Sequence, residues 1–159
     1  MKKKTLLRLI RRFEKLPLHH IDSSIELEPG DTEDGKYCTK YFNIVGYKYR
    51  GKFCIPALGE ILLAISFIAD KTKQYDALDV FLKLIKERKI RFASVENTEE
   101  YVIKIKQLDK GIEPMDRLIL ACAIADGADT FVTLDEKLIH NEKIEKEFGI
   151  KIRHPHELV

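Results

Sequence analysis

The stretch from Pro114 to Asp135, PMDRLILACAIADGADTFVTLD, limits the folds open to this chain more than any other. Pro114 suits a first helical position, where its missing N–H costs nothing. Asp116 falls in the first turn, where a negative charge meets the positive end of the helix dipole. Leu118, Cys122 and Ala125 recur at helical spacing, with Ile119 and Ala121 widening the apolar face. Gly127 ends the helix, and Thr130–Thr133 reads as a short, mostly buried strand. A helix of about thirteen residues at ~1.5 Å each carries the chain roughly 20 Å away from Asp116. The turn and strand bring it most of the way back at ~3.3 Å per residue. Asp116 and Asp135 are therefore expected on the same edge of a sheet. In an open α/β fold that edge, at the carboxyl ends of the strands, is where ligands bind. Two carboxylates meeting there repel each other unless a cation sits between them, and a divalent metal is the obvious candidate.

The rest of the chain supports that architecture. Leu18–Ile21 reads as a strand ending at Asp22-Ser23-Ser24, which places another acid past a strand's carboxyl end. His19 and His20 on that strand point to opposite faces and cannot chelate one metal together. Pro56 opens a helix to about Ala69 with Glu60 near its start, and residues 73–88 form another. Ile90–Val95 is a strand, Asn97 or Thr98 caps a helix to Leu108, and Asn141–Phe148 is a short helix ended by Gly149 before a last strand at 150–153. Strands alternating with helices argue for an α/β fold with a mainly parallel central sheet and helices on both faces. At 159 residues the expected organisation is a single domain, 1–159, with two elaborations.

The first elaboration, residues 1–17, is a basic amphipathic helix. Leu6, Leu9, Ile10 and Phe13 make its apolar stripe, and Lys2, Lys3, Lys4, Arg8, Arg11, Arg12 and Lys15 cover the remainder. It reads either as a helix docked on the sheet with a solvated basic face or as a nucleic-acid contact. The second, 31–55, begins within a polar loop over residues 26–36, whose Glu26 lies close enough in sequence to Asp22 to assist it. Its Tyr-, Phe- and Val-rich run from 37 to 55 reads as a β-hairpin insert turning at Gly46. Tyr37, Tyr41, Tyr47 and Tyr49 interleave there with lysines, which suits either base stacking or a charged edge that deters aggregation. A turn at Gly46 would set Cys38 opposite Cys54 and allow a disulfide. The three cysteines otherwise form no metal-like spacing. No apolar run reaches membrane-spanning length, and the amino-terminal stretch lacks the apolar core of a signal peptide. A cytoplasmic protein without a membrane partner is expected.

Four acids thus occupy comparable places: Asp22, Glu60, Asp116 and Asp135. With the motifs Ile21-Asp22-Ser23-Ser24, Pro56-Ala57-Leu58-Gly59-Glu60-Ile61, the helix from Asp116 to Ala123 and Phe131-Val132-Thr133-Leu134-Asp135, the chain resembles the PIN-domain nucleases over nearly its whole length. Ser24 stands where members often carry asparagine or serine, and the connection over 31–55 is longer than usual. The resemblance implies a metal-dependent endoribonuclease, toxin-type or RNA-processing. Asp22, Glu60, Asp116 and Asp135 would be the catalytic ligands of Mg²⁺ or Mn²⁺, and Ser24 and Thr133 would orient them. RNA is then the substrate, with an antitoxin or other protein as partner and a homodimer among the assemblies the family offers. The residue chemistry agrees, since hard oxygen donors prefer these ions and leave positions for water and phosphate. Two rivals stand beside it: a non-catalytic RNA-binding or assembly module on the same fold, and a phosphatase using Asp22 as nucleophile. Against the phosphatase, Ser24 occupies the position where that chemistry usually has a second acid.

Overall fold

The computed structural model describes residues 3–159; Lys2, assigned above to the basic helix, lies outside them. The elements run α1 (Lys3–Glu14), β1 (Leu18–Ile21), α2 (Ser23–Leu27), α3 (Glu33–Ile44), β2 (Arg50–Cys54), α4 (Ile55–Ser66), α5 (Lys71–Glu87), β3 (Arg91–Ala93), α6 (Glu99–Leu108), α7 (Pro114–Ala125), β4 (Thr130–Val132), α8 (Glu142–Phe148) and β5 (Lys151–Arg153). A short 3₁₀ turn, Pro155–Glu157, follows. The five strands form one sheet in the order β3-β2-β1-β4-β5, and every neighbouring pair is parallel. All four residues of the central strand β1 are buried, as expected where helices cover both faces. Its alternation shows which helices do so: His19 meets Tyr41 of α3 on one face, and His20 meets Asp126 at the end of α7 on the other.

The expected hairpin over 37–55 is not present. Residues 33–44 form α3, and the chain returns as β2, which pairs in parallel with β1 through Leu18 and Arg50. The aromatic and β-branched content of this segment mimics a strand. Burial instead follows Cys38, Tyr41, Phe42 and Val45, a helical spacing. Thr32 caps the helix by accepting the Gly35 N–H at 2.9 Å, and Glu33 and Asp34 occupy the first turn, where acids suit the dipole. Gly46 then turns the chain at φ +85°, and a Cβ there would lie 2.5 Å from the Arg88 carbonyl oxygen. The disulfide goes with the hairpin: Cys38, Cys54 and Cys122 are all free and buried. The polar loop is also shorter than expected, because α2 reaches Leu27 and α3 begins at Glu33.

The amino-terminal helix forms where its periodicity places it and meets the sheet at its own carboxyl end, where Glu14 pairs with Arg50 and Arg91, but it does not bury its apolar stripe there. Among the described residues, none in α1 is buried, and Leu6, Leu9 and Ile10 are 44%, 51% and 46% exposed. The core is built without it, from all five strands with the inner faces of α2, α3, α4, α5, α6, α7 and α8. Phe53 on β2, fully buried against Phe81 of α5 at 5.9 Å between ring centroids, stands for that core. Phe53→Ala should cost about 3–5 kcal/mol, while Leu9→Ser on α1 should cost less than about 0.5 kcal/mol. Urea unfolding of the two variants beside the wild type checks the contrast.

Candidate active site

The sheet's connectivity creates the site. From β1 the chain moves outward to β2 and β3; it then returns to the far side of β1 as β4 and continues to β5. This reversal opens a crevice at the carboxyl ends of β1 and β4. Asp22 follows β1 directly, and its N–H donates to the Val132 carbonyl at 2.9 Å, extending the ladder to the crevice. Its buried Oδ2 accepts the Ser24 hydroxyl and the Thr133 hydroxyl, each at 2.7 Å. Both hydroxyl oxygens accept in turn: Ser24 from the Leu134 N–H at 3.2 Å, Thr133 from the Asp135 N–H at 3.1 Å. The two strand ends are thereby tied together around one carboxylate.

The other acids come in from neighbouring elements. Asp135 lies just past β4, its Oδ1 accepting the Lys137 N–H at 2.9 Å. Glu60 projects from α4 and accepts the Ser23 hydroxyl. Asp116 sits in the first turn of α7. Its carboxyl is raised from 3.8 to about 6, first by burial and then by the charges of Asp22, Asp135, Glu60 and Glu113. The positive end of the helix dipole does not offset these neighbours. Burial likewise pushes the Asp22 carboxyl up, against the pull of the Ser24 and Thr133 hydroxyls and the Ser23 N–H, while Asp135 adds to the rise. Among the described residues, no lysine, arginine or histidine pairs with any of the four acids.

Asp116 thus lies within electrostatic reach of the other three sequence-selected acids and Asp22 within reach of Asp135, with Ser24 and Thr133 bonded to Asp22. Among the described residues, however, no three His, Cys, Asp or Glu side chains converge as a ready ligand set. The hydrogen bonds give a reason, since Glu60 is turned to Ser23 and Asp22 to two hydroxyls. In donor chemistry and charge the residues fit a hard divalent cation: carboxylate oxygens, mutually repelling, with no resident counter-charge among the described residues.

Two participants were missed. Ser23 anchors Glu60, and Glu113, the residue before α7, adds to the charge on Asp116. Ser23 lies inside the motif that identified Asp22, so adjacency was its signal; Glu113 precedes a helix-starting proline and carried none. Glu26 does not join Asp22. It lines an apolar groove with Ile61, Ile65 and Val80, where burial raises its carboxyl to about 7. The histidines are structural: burial lowers His19 to about 4 between Tyr41 and Tyr49, and His20 bonds Asp126 at 2.7 Å. The tyrosines form no common stacking face, because Tyr41 is fully buried while Tyr47 is 66% exposed.

A parallel α/β sheet with an acidic crevice at its topological switch point defines the class of fold. The profile of the PIN domain matches residues 21–144, and the chain belongs to the PIN domain family. In fold it is similar to three solved structures. VapBC2 from Rickettsia felis bound to a DNA fragment from their promoter aligns at 18% identity and TM-score 0.62, covering 86% of this chain and 98% of that one. FitAcB from Neisseria gonorrhoeae aligns at 15% and 0.63, covering 87% and 98%. DNA-bound VapBC from Salmonella typhimurium aligns at 15% and 0.59, covering 88% and 99%. No curated protein matches the chain. Among the described residues, no helix is long and apolar enough to cross a membrane.

The electrostatics give a signed expectation. Asp116 binds its proton more tightly folded than unfolded, so its contribution to stability is full below pH 3.8 and lost as pH rises through about 6. In EDTA, Asp116→Asn should therefore melt higher than wild type at pH 7.5 by a few degrees, with the gain vanishing near pH 4. Thermal unfolding across that range measures it; a gain independent of pH would assign the effect to packing.

Proposed function

We propose that this protein is an endoribonuclease that depends on Mg²⁺ or Mn²⁺, with Asp22, Glu60, Asp116 and Asp135 as metal ligands, direct or through water. The observation that carries the reading is the Asp116 carboxyl, raised first by burial and then by each of the other three acids, in a crevice where, among the described residues, no cationic side chain pairs with them. The family to which the chain belongs is in general one of nucleases. When bound, a divalent cation activates water and stabilises charge on the attacked phosphodiester.

The chain's own residues have separate tasks in this proposal. Thr133 and Ser24 hold the Asp22 carboxylate in one orientation. Ser23 holds Glu60 until a cation competes for it. Asp116, set on a helix end, and Asp135, set by the Lys137 N–H, would complete the ligand set. The site requires no histidine base and no nucleophilic serine. A toxin role with a protein antitoxin as partner is supported by likeness in fold to VapBC and FitAcB assemblies. A homodimer acting in the cytoplasm completes the reading.

Purified protein incubated with a mixed single-stranded RNA should give products with Mn²⁺ or Mg²⁺ and none with EDTA. Asp22→Asn and Asp116→Asn should each abolish cleavage while remaining folded. Thr133→Val and Ser24→Ala should lower it about 10–100-fold. RNA bound without cleavage under every metal condition would replace the nuclease with a non-catalytic binding module.

A further inference from the structure

The helix α1 lies outside the span matched by the family profile, which begins at residue 21. Its apolar stripe overhangs an open cleft of about 740 Å³ at the amino ends of the strands, on the edge opposite the four acids. Leu6, Leu9, Ile10 and Phe13 form one wall, and Tyr47, 66% exposed, stands on the other. Arg12, Lys89 and Arg91 rim the opening. The Lys89 ammonium lies 5.3 Å from the Tyr47 ring centroid and 5.8 Å from that of Phe13. Around the helix, Lys3, Lys4, Arg8, Arg11 and Lys15 are all exposed. Its acid, Glu14, is already neutralised by Arg50 and Arg91, each at 2.9 Å.

An occupant of this surface must satisfy aliphatic side chains and a ring of cations together. Nucleic acid answers the cations but leaves Leu6, Leu9 and Ile10 uncovered, because aliphatic side chains do not offer the stacking platform that bases use. A second copy related by a two-fold axis would bring the same cations against themselves. An anionic phospholipid surface answers both, with acyl chains against the stripe and phosphates at the rim. Low overall hydrophobicity, a basic polar face and a leucine-rich opposite face are the features of a helix that lies in a membrane interface. An exposed tyrosine beside lysine suits the same boundary.

We propose that α1 and this cleft seat the protein on an anionic phospholipid bilayer, leaving the acidic crevice turned toward the solvent. This goes beyond the nuclease reading, does not depend on it, and departs from the expectation of no membrane partner, since a helix lying in the interface needs no membrane-spanning run.

The chain has no tryptophan, so Leu9→Trp supplies one fluorophore within the stripe. With vesicles of phosphatidylglycerol and phosphatidylethanolamine, its emission should shift to the blue and the protein should float with the vesicles, both effects weakening as salt is raised. With phosphatidylcholine alone neither should occur. Replacing Leu6 and Ile10 by serine keeps every charge and should weaken vesicle binding at least about tenfold. Arg12→Ala and Lys89→Ala should each weaken it roughly fivefold. Since no α1 residue among those described is buried, circular dichroism and melting of the α1 variants should match wild type. Absence of flotation with anionic vesicles overturns the proposal. So does flotation that Leu6→Ser with Ile10→Ser leaves intact, which is adsorption by charge alone, and so does α1-dependent RNA binding without vesicle binding.

Discussion

The Asp22 carboxylate is the point on which the crevice is assembled. It is buried at the end of the central strand, and its Oδ2 receives two hydroxyls, one from the helix that follows β1 and one from the segment that follows β4. Parallel strands give no direct connection between neighbouring carboxyl ends, since each connects onward through helices. The Ser24–Asp22–Thr133 link supplies it from side chains. Because Thr133 also accepts the Asp135 N–H, the position of the second strand's acid follows from that of the first. A buried carboxylate left without such donors would be costly, so the geometry of the edge and the stability of the sheet centre are coupled.

Asp116 and Glu60 enter on helices, and their placement depends on packing rather than on the ladder. From Ile119 to Ala123, α7 is buried on all sides, which holds the helix among its neighbours and so sets where its first turn emerges. On α4, Ala57 and Ile61 are fully buried, and Glu60 sits beside Ile61 at the margin of that contact. A charge at such a margin keeps access to solvent and to an incoming ion. That mixture of rigid backing and open front is what a metal site requires of its ligands.

Much of this was legible in the residues. Pro114, Gly127 and the run at Thr130 announced α7 and β4, because proline is pre-set for a first helical turn and glycine takes the positive φ that follows a last one. Glycine at φ +69° likewise closed α8. The segment from 33 to 44 was misread because tyrosine and phenylalanine favour strands only where a pleated surface is there to receive them. Here Tyr41 and Phe42 fill the face of the sheet from a helix, and the Thr32 cap with two acids after it was the better guide. The Ser23–Glu60 contact spans 37 positions and rests on tertiary packing, which no local pattern encodes.

The formal net charge of +2 conceals a separation that only the fold reveals. Cations gather on α1 and at the amino ends of β2 and β3, while four acids lie at the carboxyl ends of β1 and β4 and on the helices beside them. Sequence position does not predict this polarity, because Asp22 lies close in the chain to α1 yet at the opposite edge of the sheet. The four residues of β1, at ~3.3 Å each, are what set the two apart. With a Debye length of about 8 Å at physiological salt, the basic end does little to relieve repulsion in the crevice. The acids must therefore be held by local donors, as Ser23 holds Glu60 and as Ser24 and Thr133 hold Asp22, or by an ion that binds among them.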